Sequence, residues 1–149
     1  MTAREYLGQL YQRDIQIDSR LAELERLQEL STQITTRLRP VAVQGGRRAD
    51  RVASTIAKMV DLDNEINDEV DAYVDLQAEM RGRIDALCNE DYRILLRLRY
   101  INYMTWEQIA EQMGRSTQWV YVLHKRALED FARVYRMDDC PRKKMCAST

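Results

Sequence analysis

The chain has 149 residues, with 45% hydrophobic and 32% charged side chains but only 5 Gly and 2 Pro. Charge this dense with breakers this rare points to long helices and excludes sandwich and Rossmann-type folds. Three Cys, an odd number, argue against a secreted disulfide framework, and no apolar run approaches the length of a membrane span or opens the sequence as a signal peptide, so a cytoplasmic protein is expected. A single His and the absence of a Gly-rich loop set most enzyme chemistries aside, and no cofactor or metal is expected. The net charge of −1 hides an asymmetry: +2 over residues 1–48, −7 over 49–90 and +4 over 91–149.

The first clear interruption is Arg39-Pro40-Val41-Ala42-Val43-Gln44-Gly45-Gly46. Proline disfavours helix at the residue before it, and paired glycines mark a loop. One helix is therefore predicted before residue 39 and another after about 48. In the first, Leu7, Leu10, Ile17, Leu21 and Leu24 keep a heptad seam with Asp14 inside it, and Leu27, Leu30, Ile34 and Leu38 continue in a shifted phase. In the second, Val52, Ile56, Met59, Asp63, Ile66, Val70, Tyr73, Gln77, Met80, Ile84 and Leu87 step by alternating four and three. That is a coiled-coil signature, with Asp63 and Gln77 as polar exceptions that fix register. Two helices of about 35 to 40 residues joined by a short loop fold back as an antiparallel hairpin. Each arm would be ~55 Å long. Eight acids and no base lie from Asp61 to Glu79; they read as a solvated face partly matched by Arg13, Arg20 and Arg26. Cys88 reads as a small buried residue.

After Leu87 the pattern changes. Asn89 fits an N-cap, with Glu90 and Asp91 in the first turn, and Ile94, Leu95, Leu98 and Ile101 form an apolar face. Thr105-Trp106-Glu107-Gln108 reads as a capping box opening a short helix whose buried face is Trp106, Ile109, Ala110 and Met113. Gly114 suits a left-handed C′ position, and Ser116 caps the next helix, whose inner face is Val120, Leu123, Ala127, Leu128 and Phe131. His124 reads as a surface residue. Residues 137–149, with Cys140, Pro141, Arg142, Lys143, Lys144 and Cys146, read as a disordered basic tail. The expected organisation is all-α: a coiled-coil hairpin over 1–88, a helix-turn-helix over 89–136, then the tail.

A short helix, a Gly-containing turn of three residues and a second helix form the helix-turn-helix pattern, in which the second helix enters the major groove with its N-terminal residues foremost. Leu95-Leu96-Arg97-Leu98-Arg99-Tyr100, Thr105 through Gly114, and Ser116 through Arg126-Ala127-Leu128 resemble sigma-70 region 4, the domain of bacterial sigma factors that reads the −35 promoter element. The resemblance covers residues 87–132. The whole arrangement is similar to small phage-encoded regulators of late transcription of the RinA and ArpU type. The resemblance implies double-stranded DNA as partner, with Thr117, Gln118, Trp119, Tyr121 and Val122 facing bases and phosphates and Thr105 touching a phosphate. Gln118 suits adenine and Thr117 a thymine methyl. Sigma helices carry Arg and Glu at these positions, where this chain has Thr, Gln, Trp, Tyr and Val. Arg93, Arg97, Arg99, Arg115, Lys125, Arg126 and Arg133 are the nearby cations for phosphate.

The expected function is a sequence-specific, non-enzymatic DNA-binding transcription regulator, with the coiled coil for homodimerisation or higher oligomers, or for contact with RNA polymerase. An alternative is a protein-interaction module for polymerase or a nuclease effector. A third is a small-terminase-like packaging subunit, although there the order of the two parts usually runs the other way.

Overall fold

A computed structural model describes residues 1–38 and 46–137. The Pro40 interruption and the tail beyond Met137, with Cys140, Pro141 and Cys146, lie outside the described residues. The fold is all-α: α1 (Ala3–Leu38), α2 (Gly46–Asp85), α3 (Glu90–Leu96) continued by a π-helical turn (Arg97–Ile101), α4 (Trp106–Met113) and α5 (Thr117–Val134). No strand occurs among the described residues. No described helix is long and apolar enough to cross a membrane.

Helix α1 opens with a capping box. The Thr2 hydroxyl accepts from the Glu5 N–H at 3.2 Å, and the Glu5 carboxylate accepts from the Thr2 N–H at 2.8 Å. α1 and α2 form the antiparallel coiled-coil hairpin: Tyr6 meets Glu79 and Arg20 meets Glu65, so partner numbers fall as residue numbers rise. The seam on α2 departs from the expected phase. Leu62, Ile66, Met80 and Leu87 are buried, whereas Ile56 and Val70 are 48% and 37% exposed and Asp63 faces solvent. On α2 the half-buried and buried residues Val52, Thr55, Met59, Leu62, Ile66, Glu69 and Tyr73 step by three then four. The i, i+7 rows of the expected seam at 52, 59, 66, 73 and 80 are kept. From residue 55 to 69 the second row falls one residue earlier, whereas Gln77 of the expected row is half-buried and Ile84 fully buried. In α1, Leu7, Leu10 and Ile17 are buried, but Leu21 and Leu30 are exposed.

The chain divides into two compact units. One is Arg13–Tyr73. There Ile17, Leu62 and Ile66 are buried, and Arg20 bridges Glu65 and Glu69, the latter at 3.1 Å. Arg20 is thus the expected basic match to the acidic face of α2.

The other unit joins Met1–Gln12 to the residues from Val74 on. The expected division at residue 88 follows helix order, whereas this core takes Leu7 and Leu10 from α1, Met80 and Ile84 from α2, Leu95 and Leu96 from α3, Ile109 from α4, and Val120 and Phe131 from α5, all fully buried. Tyr6 stacks on Phe131 with centroids 5.9 Å apart. Arg83 lies between the rings of Tyr6 and Tyr135, at 4.9 and 5.2 Å, and pairs with Glu79 at 2.8 Å. Burial and the hydrogen bond to Glu79 push the Tyr6 phenol up to about 12. The Tyr135 hydroxyl donates to the Arg83 carbonyl at 2.6 Å, tying the end of α5 to α2.

Asn89 caps α3 as expected, accepting from the Asp91 and Tyr92 N–H groups. The apolar face of α3 is Leu95, Leu96 and Leu98; Ile94 is 38% exposed, a correction to the expected face. The π turn that follows is closed by the Asn102 N–H donating to the Arg97 carbonyl at 3.0 Å and rotates the residues after it. Cys88, expected to be buried, is exposed, because the chain has left the helix by then and only Leu87 turns inward.

Candidate nucleic-acid interface

The turn between α4 and α5 is built by three local devices. Thr105 Oγ1 accepts from the Gln108 N–H at 3.3 Å, while Gln108 Oε1 accepts from the Thr105 N–H at 3.0 Å, closing the capping box. Gly114 takes φ 65° and ψ 35°. The Arg115 N–H donates to the Ala110 carbonyl at 2.9 Å and the Gly114 N–H to the Glu111 carbonyl at 3.2 Å, which is a Schellman stop. Ser116 Oγ then accepts from the Trp119 N–H at 3.2 Å and starts α5. Ala110, 5% exposed, is small enough for close helix approach.

Val120, Leu123, Ala127 and Phe131 anchor α5 from behind. His124 belongs to this buried face, a correction to its reading as a surface residue. It is 4% exposed, and its Nε2 lies 2.7 Å from the Tyr100 hydroxyl. Its ring and the Trp106 ring meet in a T-shaped contact, with centroids 4.6 Å apart. Burial first, then the positive charges of Arg4 and Arg99, lower its pKa to about 4. Burial also raises the Tyr100 phenol. With the imidazole neutral, one proton serves this pair. Trp106 is half-buried, with the Arg99 guanidinium 4.3 Å from its centroid.

The outer edge of α5 carries the expected site residues. Gln118, Tyr121, Val122, Lys125 and Arg126 are exposed, and Thr117 and Trp119 are half-buried. Tyr121 is 47% and Val122 52% exposed. Tyr121 leans on Trp106 at 5.3 Å between centroids. The exposed Arg115 sits 5.0 Å over the Trp119 ring. Thr105 is exposed; its oxygen is held in the cap, and its hydroxyl proton remains to donate.

The cations divide. Arg93 donates to the Leu87 carbonyl at 2.8 Å, Arg99 to the Met104 carbonyl at 2.9 Å, Arg97 lies 3.6 Å from Asp85, and Arg133 pairs with Asp130. Arg93 and Arg99 satisfy carbonyls of the connections that precede α3 and α4. Arg93 and Arg99 are thus tied to the backbone of their own unit, whereas Arg97 and Arg133 stay exposed in surface ion pairs. Arg115, Lys125 and Arg126 face outward, and Lys125 and Arg126 make no ion pair or hydrogen bond among the described residues.

The sequence reading missed the Arg99–Trp106–His124–Tyr100 support. A signal was present for His124, which stands four residues after Val120 and three before Ala127, on the buried stripe. Arg99 left no such signal, since its role depends on the π turn.

No curated protein and no solved structure matches the chain. A family described as protein of unknown function (DUF1492) matches residues 31–132, from the last two turns of α1 through most of α5. With more than half of its length inside that match, the chain belongs to this family.

Proposed function

We propose that the chain is a sequence-specific DNA-binding regulator of transcription that places α5 in the major groove. The reading is supported chiefly by the open edge of α5. A Schellman stop and a serine cap present Gln118, Tyr121 and Val122 outward, while Val120 and Leu123 hold the helix from behind. The resemblance of residues 87–132 to sigma-70 region 4, and of the arrangement to phage late-transcription regulators of the RinA and ArpU type, points the same way. The hairpin would set the oligomeric state or contact RNA polymerase. A dimer calls for half-sites about one helical turn apart.

The test is a mobility shift of the full chain on promoter duplexes and on a random-sequence pool. Three outward cations predict a log–log salt slope near −3 per copy, about a 40-fold loss between 50 and 200 mM salt. Absent or salt-insensitive binding across all duplexes sinks the reading. A second reading has one observation of its own: Tyr121 and Val122 leave about half of their surface open, which suits a protein partner. Binding to purified RNA polymerase that survives nuclease treatment and is lost in Trp119→Ala would favour it.

A further inference from the structure

The DNA reading leaves open which base pairs are read, and the exposed edge of α5 answers in chemical terms. Guanine is recognised in the major groove by a bidentate Arg or Lys on O6 and N7, adenine by Asn or Gln on N6 and N7, and thymine by apolar contact with its methyl group. Between Thr117 and Val122 there is no cation. Gln118 is exposed, and its amide makes no hydrogen bond among the described residues. Val122 follows it one turn later and Tyr121 stands beside it, both open and both apolar in their reach.

The cations sit at the two ends of this edge. Arg115 lies before it, its guanidinium over the Trp119 ring. Lys125 and Arg126 lie after it, and eight residues of rise from Gln118 to Arg126 amount to about 12 Å. The major groove is about 12 Å wide. A helix with Gln118 at the base edges therefore carries Arg126 out to the phosphate wall. The charges are spaced for the backbone, and the uncharged stretch for the bases.

Resting on the DNA reading, we infer that α5 specifies A·T base pairs, with Gln118 on adenine and Tyr121 and Val122 on thymine methyls, and makes no guanine contact. The test is selection of duplexes by the full chain from a random library, followed by affinity measurements on the selected site. The expected half-site has adjacent A·T pairs at its centre. Deoxyuridine in place of a contacted thymine, which removes only the methyl, weakens binding about three- to fivefold. Gln118→Ala relaxes the preference at one position by about tenfold, and Gln118→Arg moves that position towards guanine. All variants keep the wild-type circular dichroism, since Gln118 is exposed. Guanine at the central positions for the wild type, or affinity indifferent to deoxyuridine, overturns the inference while the DNA reading stands. If no sequence is enriched and no salt-dependent binding occurs, the DNA reading falls and this inference with it.

Discussion

At the scale of single residues, two positions carry distinct physical loads. Gly114 has φ 65°, and a Cβ built there meets nothing within 4 Å. A substitution is therefore opposed by backbone conformation alone, and Gly114→Ala should cost about 1 kcal/mol. A urea midpoint unchanged from wild type would show that the turn does not depend on the left-handed glycine. His124 is the chain's single histidine, so its ring resonances identify themselves in an NMR titration. Its pKa of about 4 in the fold lies below the ordinary 6.5. Between those values the unfolded chain binds the proton more readily than the folded one. The stability from the buried neutral ring is therefore fully present above pH 6.5 and is lost as pH falls towards 4, by about 3 kcal/mol in all. A midpoint near 6.5 in the native protein would remove both the shift and the acid sensitivity.

At the scale of elements, the stops and starts were legible, whereas the orientation of long faces was only half legible. Asn89, the Thr105–Gln108 box, Gly114 and Ser116 each act through atoms within a few residues, so their chemistry is written locally. The same code also stood at Thr2-Ala3-Arg4-Glu5, where the S/T-x-x-E pattern caps α1. The seam of α2 differs in kind. A row of residues seven apart is fixed by periodicity, but whether its companion row lies at i+3 or i+4 depends on where the other arm packs. Apolar residues occupy both flanks here: Leu62 on the buried side, Ile56 and Val70 on the open one. The difference is measurable in denaturant. Leu62→Ala should cost about 2 kcal/mol or more, and Ile56→Ala less than about 1 kcal/mol. Equal losses at both positions would mean that the flank of Ile56 is also covered in solution.

At the scale of the whole molecule, sequence order and compact units do not coincide. The first turns of α1 look like the start of a coiled-coil arm, yet Leu7 and Leu10 are fully buried in the unit that holds the helix-turn-helix, and Tyr6 stacks on Phe131. Tyr11 adds an edge contact to Tyr103, centroids 5.3 Å apart. This arrangement was hidden from the sequence, because no local pattern distinguishes an apolar residue facing the opposite arm from one facing α5. It also makes a large claim on stability. Burying Tyr6, Leu7 and Leu10 is worth about 2 kcal/mol per side chain. The total is comparable with the whole folding free energy of an ordinary domain, about 5–15 kcal/mol. A chain lacking residues 1–12 should therefore lose cooperative melting of its C-terminal helices and the dispersion of its core methyl resonances. Under the proposed DNA-binding function it should lose DNA affinity as well, although no residue removed lies on the edge of α5. A truncated chain that melts at the wild-type temperature would show that α3, α4 and α5 stand alone, and that the start of α1 rests on their core without supporting it.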